Sequence, residues 1–336
     1  MNTQRNSNTL FTRSTITALA LAAALLAAAT PGGAQSEKKR PDASSSGQQR
    51  PLRPSDPGPA LAAPTFENVA YGPHERNMLD FWQAKSERPA PLAVIIHGGG
   101  FITGSKEQTR AATVRNLLEA GISVAAVNYR LLSHAPLPAA HHDVTRALQF
   151  LRSKAKEWNL DKTKVAATGN SAGAQLAMYL AFHDDLADPK SPDPVARESS
   201  RLACVAPFAG QATLDVKWWL QHVPGYAPHR DFLEMFGTKD EREALQKNAD
   251  ISALALISKD DPPIFMTYEM APGQPYPADE AVTRSWKIHH VAHGVALKKR
   301  CDELGVEAHL NYPGATTTYS SVVPFFKAKL LSGGAR

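Results

Sequence analysis

Residues 165–173 read VAATGNSAG, and this stretch gives the clearest indication of the fold. The apolar run 165–168 is typical of a strand that is buried on both faces, and the Ala-rich segment 172–182 that follows is typical of a helix. The glycines of this G-x-S-x-G pattern flank Ser171 and permit a sharp turn. The pattern predicts a strained serine at a helix start, where the helix dipole and free N–H groups favour negative charge.

A second glycine-rich turn follows another buried strand, because residues 92–101 read LAVIIHGGGF. Glycine allows the backbone to approach a ligand closely. We expect the N–H groups of Gly99 and Gly100 to converge with that of Ala172 on one oxyanion. Loss of one such donor typically costs about 2.7–4 kcal/mol of transition-state stabilisation. The two turns together, in this order, indicate acyl-transfer chemistry more specifically than either turn alone.

Apolar strand-like runs alternate with helical patterns along the rest of the chain. Strands are predicted at 92–96, 122–127, 165–168, 202–206, 264–268 and 308–312. Helices are predicted at 111–120, 142–158, 172–182 and 289–304. This alternation favours the α/β class, with a mostly parallel sheet that helices cover on both faces. In such sheets, ligands bind beyond the carboxyl ends of the strands.

The N-terminal part of the 336-residue chain has a different composition. Residues 1–34 carry two arginines and no acid, followed by an uncharged Ala/Leu run of about 15 residues, which is short of the ~20 that a spanning helix needs. We interpret 1–34 as a signal peptide, with an uncleaved membrane anchor as the alternative. Residues 35–64 are rich in Ser, Pro, Gln and charge, which predicts a flexible linker. We therefore expect an exported protein, either periplasmic or secreted, without a polytopic membrane span.

Most of the net positive charge of the chain lies in this N-terminal part. The formal net charge is +5, of which residues 1–34 and 35–64 contribute +2 each, so +1 remains for 65–336. A nearly neutral body offers no basic face for nucleic acid, so we exclude that class of partner.

The two turns resemble those of the α/β-hydrolase fold, in the branch of esterases and lipases with an HGGG oxyanion loop. The likeness is greatest to the hormone-sensitive-lipase-like and feruloyl/acetylxylan-esterase-like groups, and covers about 65–332. Further segments that resemble this branch are Tyr129-Arg130-Leu131, Pro136, Pro138, Asp143 and Asp261-Pro262-Pro263.

The resemblance implies a role for each of these motifs. It makes Ser171 the nucleophile, and the N–H groups of Gly99, Gly100 and Ala172 the oxyanion hole. It also implies one hydrolase domain, 65–336, with a possible cap at 211–250, and no cofactor.

The chain departs from this family where the general base is expected, after the last strand. Residues 312–319 read YPGATTTY, which puts Thr317 at the histidine position, and no histidine follows His309. His290 is our first candidate for a relocated base and His289 the second. For the acid, neither Asp279 nor Glu269 matches the family spacing, and we take Asp279 as the candidate.

The leading hypothesis is an exported serine hydrolase of carboxylic esters, which acts on a small acyl ester or an acylated carbohydrate. The alternative is a non-catalytic binding protein on a hydrolase scaffold, which Thr317 motivates. No metal site is predicted, because His289 and His293 have the spacing of a zinc-binding helix but no third ligand is evident.

Overall fold

The computed structural model describes residues 61–332. The predicted signal peptide, 1–34, and most of the predicted linker, 35–60, lie outside the described residues. The last four residues of that linker belong to the folded domain, because Leu61 packs against the core and the Ala62 carbonyl accepts a hydrogen bond from Trp82 Nε1 at 2.8 Å. No helix among the described residues is long and apolar enough to cross a membrane.

The described residues form one eight-stranded sheet. Its strands are β1 (Phe66–Ala70), β2 (Met78–Trp82), β3 (Ala90–Ile96), β4 (Ser123–Val127), β5 (Leu160–Asn170), β6 (Cys204–Phe208), β7 (Ile264–Thr267) and β8 (Ala308–Asn311). Their order is β1-β2-β4-β3-β5-β6-β7-β8. The pairs β1–β2 and β2–β4 are antiparallel, and all further pairs are parallel. The predicted parallel sheet is thus present, with two added antiparallel strands at one edge.

Helices cover both faces of this sheet. They are α1 (Ala111–Glu119), α2 (Ala139–Ser153), α3 (Ala172–Phe182), α4 (Val216–His222), α5 (Phe232–Met235), α6 (Glu241–Ala249), α7 (Ala253–Leu256), α8 (Glu280–Ile288), α9 (Ala292–Leu304) and α10 (Val322–Phe326). A 3₁₀ turn, Lys106–Gln108, and a π-helical turn, Lys327–Leu331, complete the set. Helices α4, α5 and α6 lie in the predicted cap segment, 211–250, between β6 and β7.

The continuous apolar runs of the central strands supply two cores. In β3, Leu92 and Val94 pack with α2, α3 and α9 on one face, whereas Ala93 packs with α1 and α10 on the other. Successive side chains of a strand point to opposite faces, so a strand between two cores must be apolar at every position. This arrangement fixes β3 and β5 at the centre of the sheet, and their carboxyl ends carry the two glycine-rich turns.

Candidate active site

Ser171 occupies a strained turn between β5 and α3. Its backbone has φ 53° and ψ −120°, in the left-handed half of φ space, which costs a non-glycine residue roughly 1–3 kcal/mol. Its N–H donates to the Phe208 carbonyl at 3.0 Å, which ties the turn to β6. A Cβ on Gly173 would lie 2.1 Å from the Ile96 carbonyl oxygen, so only glycine lets α3 start this close to β3.

The oxyanion loop turns sharply after β3. Gly99 has φ 101° and Gly100 has φ 59°, and the Gly99 carbonyl accepts from the N–H groups of Ile102 and Thr103 at 3.1 Å each. A Cβ on Gly99 would lie 2.0 Å from the Thr103 carbonyl oxygen. Ala172 is the first residue of α3, so its N–H has no carbonyl partner within the helix. The amides of Gly99 and Gly100 therefore lie in the loop after β3, and that of Ala172 lies at the start of α3, directly after Ser171.

His97 begins the predicted oxyanion loop, and its ring packs against Tyr129 and hydrogen-bonds within the loop. Its ring stacks on Tyr129 with centroids 4.2 Å apart, and the Tyr129 hydroxyl donates to the His97 carbonyl at 2.9 Å. Arg76 donates to the Gly104 carbonyl at 2.8 Å and lies 3.3 Å from His97 Nε2. Since a guanidinium can only donate, Nε2 accepts, and Nδ1–H donates to the Gly98 carbonyl at 2.7 Å. Burial lowers the pKa of His97 to about 4, so this ring is neutral and structural.

His289 is the histidine that contacts Ser171. Its Nε2 lies 2.8 Å from Ser171 Oγ. Its Nδ1 lies 2.9 Å from the Ser285 backbone carbonyl, and a carbonyl only accepts, so Nδ1 carries the proton and Nε2 is free to accept the serine proton. Burial lowers the pKa of His289 below its usual value, which the Ser285 carbonyl and the charge of Glu269 partly oppose. The imidazole is therefore neutral at pH 7.

His290, our first candidate from the sequence, is not at the serine. Its Nδ1 accepts the Ala292 N–H at 3.1 Å, and its ring packs edge-on against Tyr276. The helix that we predicted from 289 begins at Ala292, and His289 instead ends the preceding helix, α8. Adjacent residues at such a junction point in different directions, so one position decides which ring meets Ser171.

Asp279, the predicted acid, also has a different place. Its carboxylate accepts the Val282 N–H at 2.9 Å and is the N-cap of α8, at the opposite end from His289. Glu269, the other acid considered, is exposed and lines the cleft that Ser171 and His289 share. It forms no hydrogen bond to His289 within the described part of the chain, and it acts on that ring through its charge.

Thr317, at the usual histidine position, does not line either cavity that contains Ser171. Its Oγ1 is buried and, within residues 61–332, has no hydrogen-bond partner. His309 is also occupied elsewhere, because its Nε2 lies 2.8 Å from the Glu307 carboxylate. The chain thus supplies an imidazole to Ser171 from the segment before α9 rather than from the loop after β8.

Two cavities open at Ser171. One, of about 240 Å³, lies beside Glu269 and His289 and continues along Asn170 and Arg110 towards a larger one of about 510 Å³. The other, of about 60 Å³, lies under the cap and reaches Gly100, Ala172 and Arg230. An ester bound at Ser171 therefore has separate space for its two ends.

Sequence reasoning missed α8, and with it the position of His289. A signal was present, because Asp279 is followed by an amphipathic run, 280–288, and an Asp before such a run is a typical helix start. Arg76 and Arg230 carried no comparable signal, since their contacts are with carbonyl groups far away in sequence.

Known proteins share this fold and part of this sequence. Among curated proteins, Probable carboxylic ester hydrolase LipM of Mycobacterium tuberculosis is 30% identical over 206 residues, which cover 60% of this chain and 46% of LipM. Esterase LipQ of the same organism is 29% identical over 163 residues, 47% of this chain and 38% of LipQ. The chain thus matches less than half the length of either relative.

Two solved structures show the same fold at lower identity. A truncated carbohydrate esterase from gut microbiota superposes with a TM-score of 0.62 at 22% identity, over 79% of this chain and 96% of that one. An acetyl ester-xyloside bifunctional hydrolase from Caldicellulosiruptor lactoaceticus gives 0.53 at 23% identity, over 70% and 76%. These likenesses establish the α/β-hydrolase fold.

The BD-FAE family matches residues 79–271, more than half of the chain. The match includes both glycine-rich turns and ends before α8, so His289 lies beyond it. The chain is a member of the BD-FAE family, with the α/β-hydrolase fold.

Proposed function

We propose that the protein is a carboxylic-ester hydrolase that uses Ser171 as nucleophile and His289 as general base. The observation that carries the proposal is the 2.8 Å contact between Ser171 Oγ and the unprotonated Nε2 of His289. A serine hydroxyl is a weak nucleophile at its free pKa and needs such a base. The likeness to esterases in sequence supports the same reaction class.

The reaction would proceed through an acyl-enzyme. Ser171 Oγ bonds to the ester carbonyl carbon while His289 Nε2 takes the hydroxyl proton, and the N–H groups of Gly99, Gly100 and Ala172 stabilise the oxyanion. The acyl C–O bond then breaks, and His289 returns the proton to the departing alcohol. Water attacks the acyl-enzyme by the same route, which releases the acid and restores Ser171.

A backbone carbonyl takes the orienting role that a carboxylate has in most serine triads. The Ser285 carbonyl holds the Nδ1–H of His289 at 2.9 Å and so fixes both its tautomer and its ring orientation. A carbonyl has no full charge with which to stabilise the imidazolium that forms. Glu269, across the cleft, contributes that charge from a distance.

The non-catalytic alternative rests on Thr317, which occupies the position where the related hydrolases have their catalytic histidine. The pairing of Ser171 with His289 supports the enzyme instead, because it supplies a base by another route. We further propose that the substrate is a small acyl ester or an acylated carbohydrate, because the structural neighbours include a carbohydrate esterase and an acetyl ester-xyloside hydrolase. We also propose that the protein is exported, on the composition of residues 1–34.

Turnover of 4-nitrophenyl acetate tests the proposal. We expect Ser171→Ala and His289→Ala each to lower kcat by roughly 10⁴- to 10⁶-fold, as removal of a nucleophile or base does in serine hydrolases. His290→Ala is the matched control, and its kcat should stay within a few-fold of the parent. Turnover of the unsubstituted protein no faster than that of Ser171→Ala would instead support the binding protein.

A further inference from the structure

We propose that Arg230 makes the cavity under the cap an acyl subsite for short acyl groups that end in a carboxylate. The inference rests on the proposed ester hydrolysis and names a substrate class for it. The cavity is the one of about 60 Å³ that Arg230 shares with Ser171, Gly100 and Ala172.

Arg230 lies directly against the oxyanion loop. It sits in the cap, just before α5, and its Nη1 donates to the Gly100 carbonyl. A Cβ on Gly100 would lie 2.2 Å from Arg230 Nη2, so the guanidinium packs on the glycine backbone itself. The positive charge is therefore held next to the place where the acyl carbonyl binds.

The charge of Arg230 is not balanced by an acid. Within residues 61–332, Arg230 forms no ion pair, and the Gly100 carbonyl is the one hydrogen-bond partner of its five N–H donors. Arg130 and Arg201, also half-buried, have acid partners, because Arg130 pairs with Asp143 and Arg201 with Asp261. Arg76 and Arg152 form no ion pair within the described residues, but more than one backbone carbonyl group accepts from each of them. Burial, together with the nearby charge of Arg284, lowers the pKa of Arg230. A half-buried cation without a counter-ion favours an anionic ligand.

The dimensions of the cavity limit the acyl group. Its volume, about 60 Å³, is a quarter of the roughly 240 Å³ of the cavity beside His289, which favours a short acyl group. A succinyl group, with five non-hydrogen atoms beyond its ester carbonyl, is short in this sense. The walls are mostly apolar, and include Phe101, Leu214, Trp219, Phe232, Met235 and Ile288. Methylene groups can pack on these walls while the terminal carboxylate accepts hydrogen bonds from the guanidinium, whose fork matches carboxylate geometry.

Two esters of equal size separate charge recognition from shape. Monoethyl succinate and ethyl 4-methylpentanoate carry five non-hydrogen atoms beyond the ester carbonyl, with a carboxylate in the first and two methyl groups in the second. We expect a higher kcat/KM for the succinate. A hydrogen bond to a charged group contributes about 1.5–3 kcal/mol, so Arg230→Met should lower the succinate-to-methylpentanoate ratio by roughly 10- to 150-fold.

Three controls accompany this comparison. Arg242→Met removes the same charge from an exposed position on α6, and should leave the ratio unchanged. Arg230→Lys keeps the charge but loses the fork, so its ratio should fall between those of the parent and Arg230→Met. Inhibition by N-ethylsuccinamate compared with N-ethyl-4-methylpentanamide, the amide counterparts of the two esters, measures the same preference in the unsubstituted protein, so the test stands even if a variant misfolds.

Several outcomes would overturn the subsite. An equal fall on both esters in Arg230→Met would make Arg230 only a support of the oxyanion loop. The proposed subsite would also be wrong if the unsubstituted protein showed no preference for the succinyl compound, as substrate or as inhibitor. If neither ester is cleaved while Ser171 still reacts with a fluorophosphonate, the subsite fails and the hydrolase proposal stands. If Ser171 does not react either, both proposals fail.

Discussion

At the level of single residues, the proposed general base is His289, whose Nδ1 is held by the Ser285 backbone carbonyl. Nδ1–H donates to Ser285, and Nε2 faces Ser171 at 2.8 Å. Because the tautomer is fixed by the turn of α8 that precedes it, the base depends on local helix geometry more than on a distant acid. In place of a Ser-His-acid triad, the proposed site thus has a Ser171–His289 pair, and Glu269 acts on His289 through its charge alone.

Glu269 should set the acid limb of the pH profile. Its charge raises the pKa of His289, against the larger lowering by burial. The base is active when it is deprotonated, so kcat/KM should rise with pH through the pKa of His289, with a midpoint below about 6.5. Glu269→Gln removes the raising contribution, and we expect this midpoint to move to lower pH.

The measurement is kcat/KM for 4-nitrophenyl acetate between pH 4 and pH 8. Glu119→Gln, which removes a carboxylate at the end of α1 away from the cleft, is the control and should leave the midpoint in place. A midpoint that stays in place or rises in Glu269→Gln would show that the carboxylate does not act on His289.

Among the elements, α8 is the helix that positions His289, the proposed base. Asp279 caps its N-terminus, and His289 follows its last residue, Ile288, ten positions after Asp279. An acid that caps a helix satisfies free N–H groups and contributes about 0.5–2 kcal/mol. The placement of the base is therefore coupled to the stability of a short helix that is exposed on one side.

Asp279→Ala and Asp279→Asn separate a cap from a catalytic acid. Asn is as good an N-cap as Asp, so we expect Asp279→Asn to keep kcat within a few-fold of the parent. Asp279→Ala should lower the free energy of unfolding by about 0.5–2 kcal/mol and also reduce kcat, because the end of α8 is less well fixed. A loss near 10⁴-fold in Asp279→Asn would instead mark Asp279 as the triad acid.

At the scale of the whole molecule, three buried histidines should make stability depend on pH. Burial lowers the pKa of His97 to about 4 and those of His141 and His293 to about 3. In the unfolded chain each titrates near 6.5, so between these values the unfolded state binds more protons and stability rises with pH. Each histidine contributes up to about 1.4 kcal/mol per pH unit in that interval.

Urea unfolding at pH 7.0, 6.0 and 5.0 measures this dependence. We expect the free energy of unfolding to decrease as the pH is lowered from 7.0 to 5.0, and most steeply below pH 6.5. The same titration on His141→Gln should give a shallower slope, whatever its stability at pH 7. A free energy that is flat between pH 6.5 and 5.0 would contradict the buried, neutral state of these rings.

Much of this fold could be predicted from the sequence, because its central strands are apolar at every position. β3, β4 and β5 supply both cores, and such runs are distinctive. Strands β1 and β2 were missed. β1 is mostly exposed and shows little apolar pattern, and Asp80 interrupts the apolar run of β2. The parallel body is thus encoded locally, whereas the antiparallel edge forms by pairing with β4.

Site residues that lie in short sequence motifs could be predicted, whereas those placed by contacts between distant parts of the chain could not. Ser171, Gly99 and Gly100 lie in short motifs whose backbone strain only certain residues tolerate, so the motifs alone predict them as site candidates, and the structure gives all three a positive φ. The position of His289 depends on where α8 ends, which is a matter of one residue, and helix ends are the least certain part of any sequence-based prediction. Arg230 reaches Gly100 across 130 positions, a distance over which the sequence gives no spacing rule.

The central claim is that His289 activates Ser171, and covalent labelling tests it most directly. The protein, His289→Ala and His290→Ala would each be treated with a fluorophosphonate, with the modified residue and its rate of formation determined by mass spectrometry. The account predicts modification of Ser171 in the unsubstituted protein and in His290→Ala at similar rates, and a rate lower by orders of magnitude in His289→Ala. Rapid labelling of His289→Ala, or loss of labelling in His290→Ala alone, would contradict it.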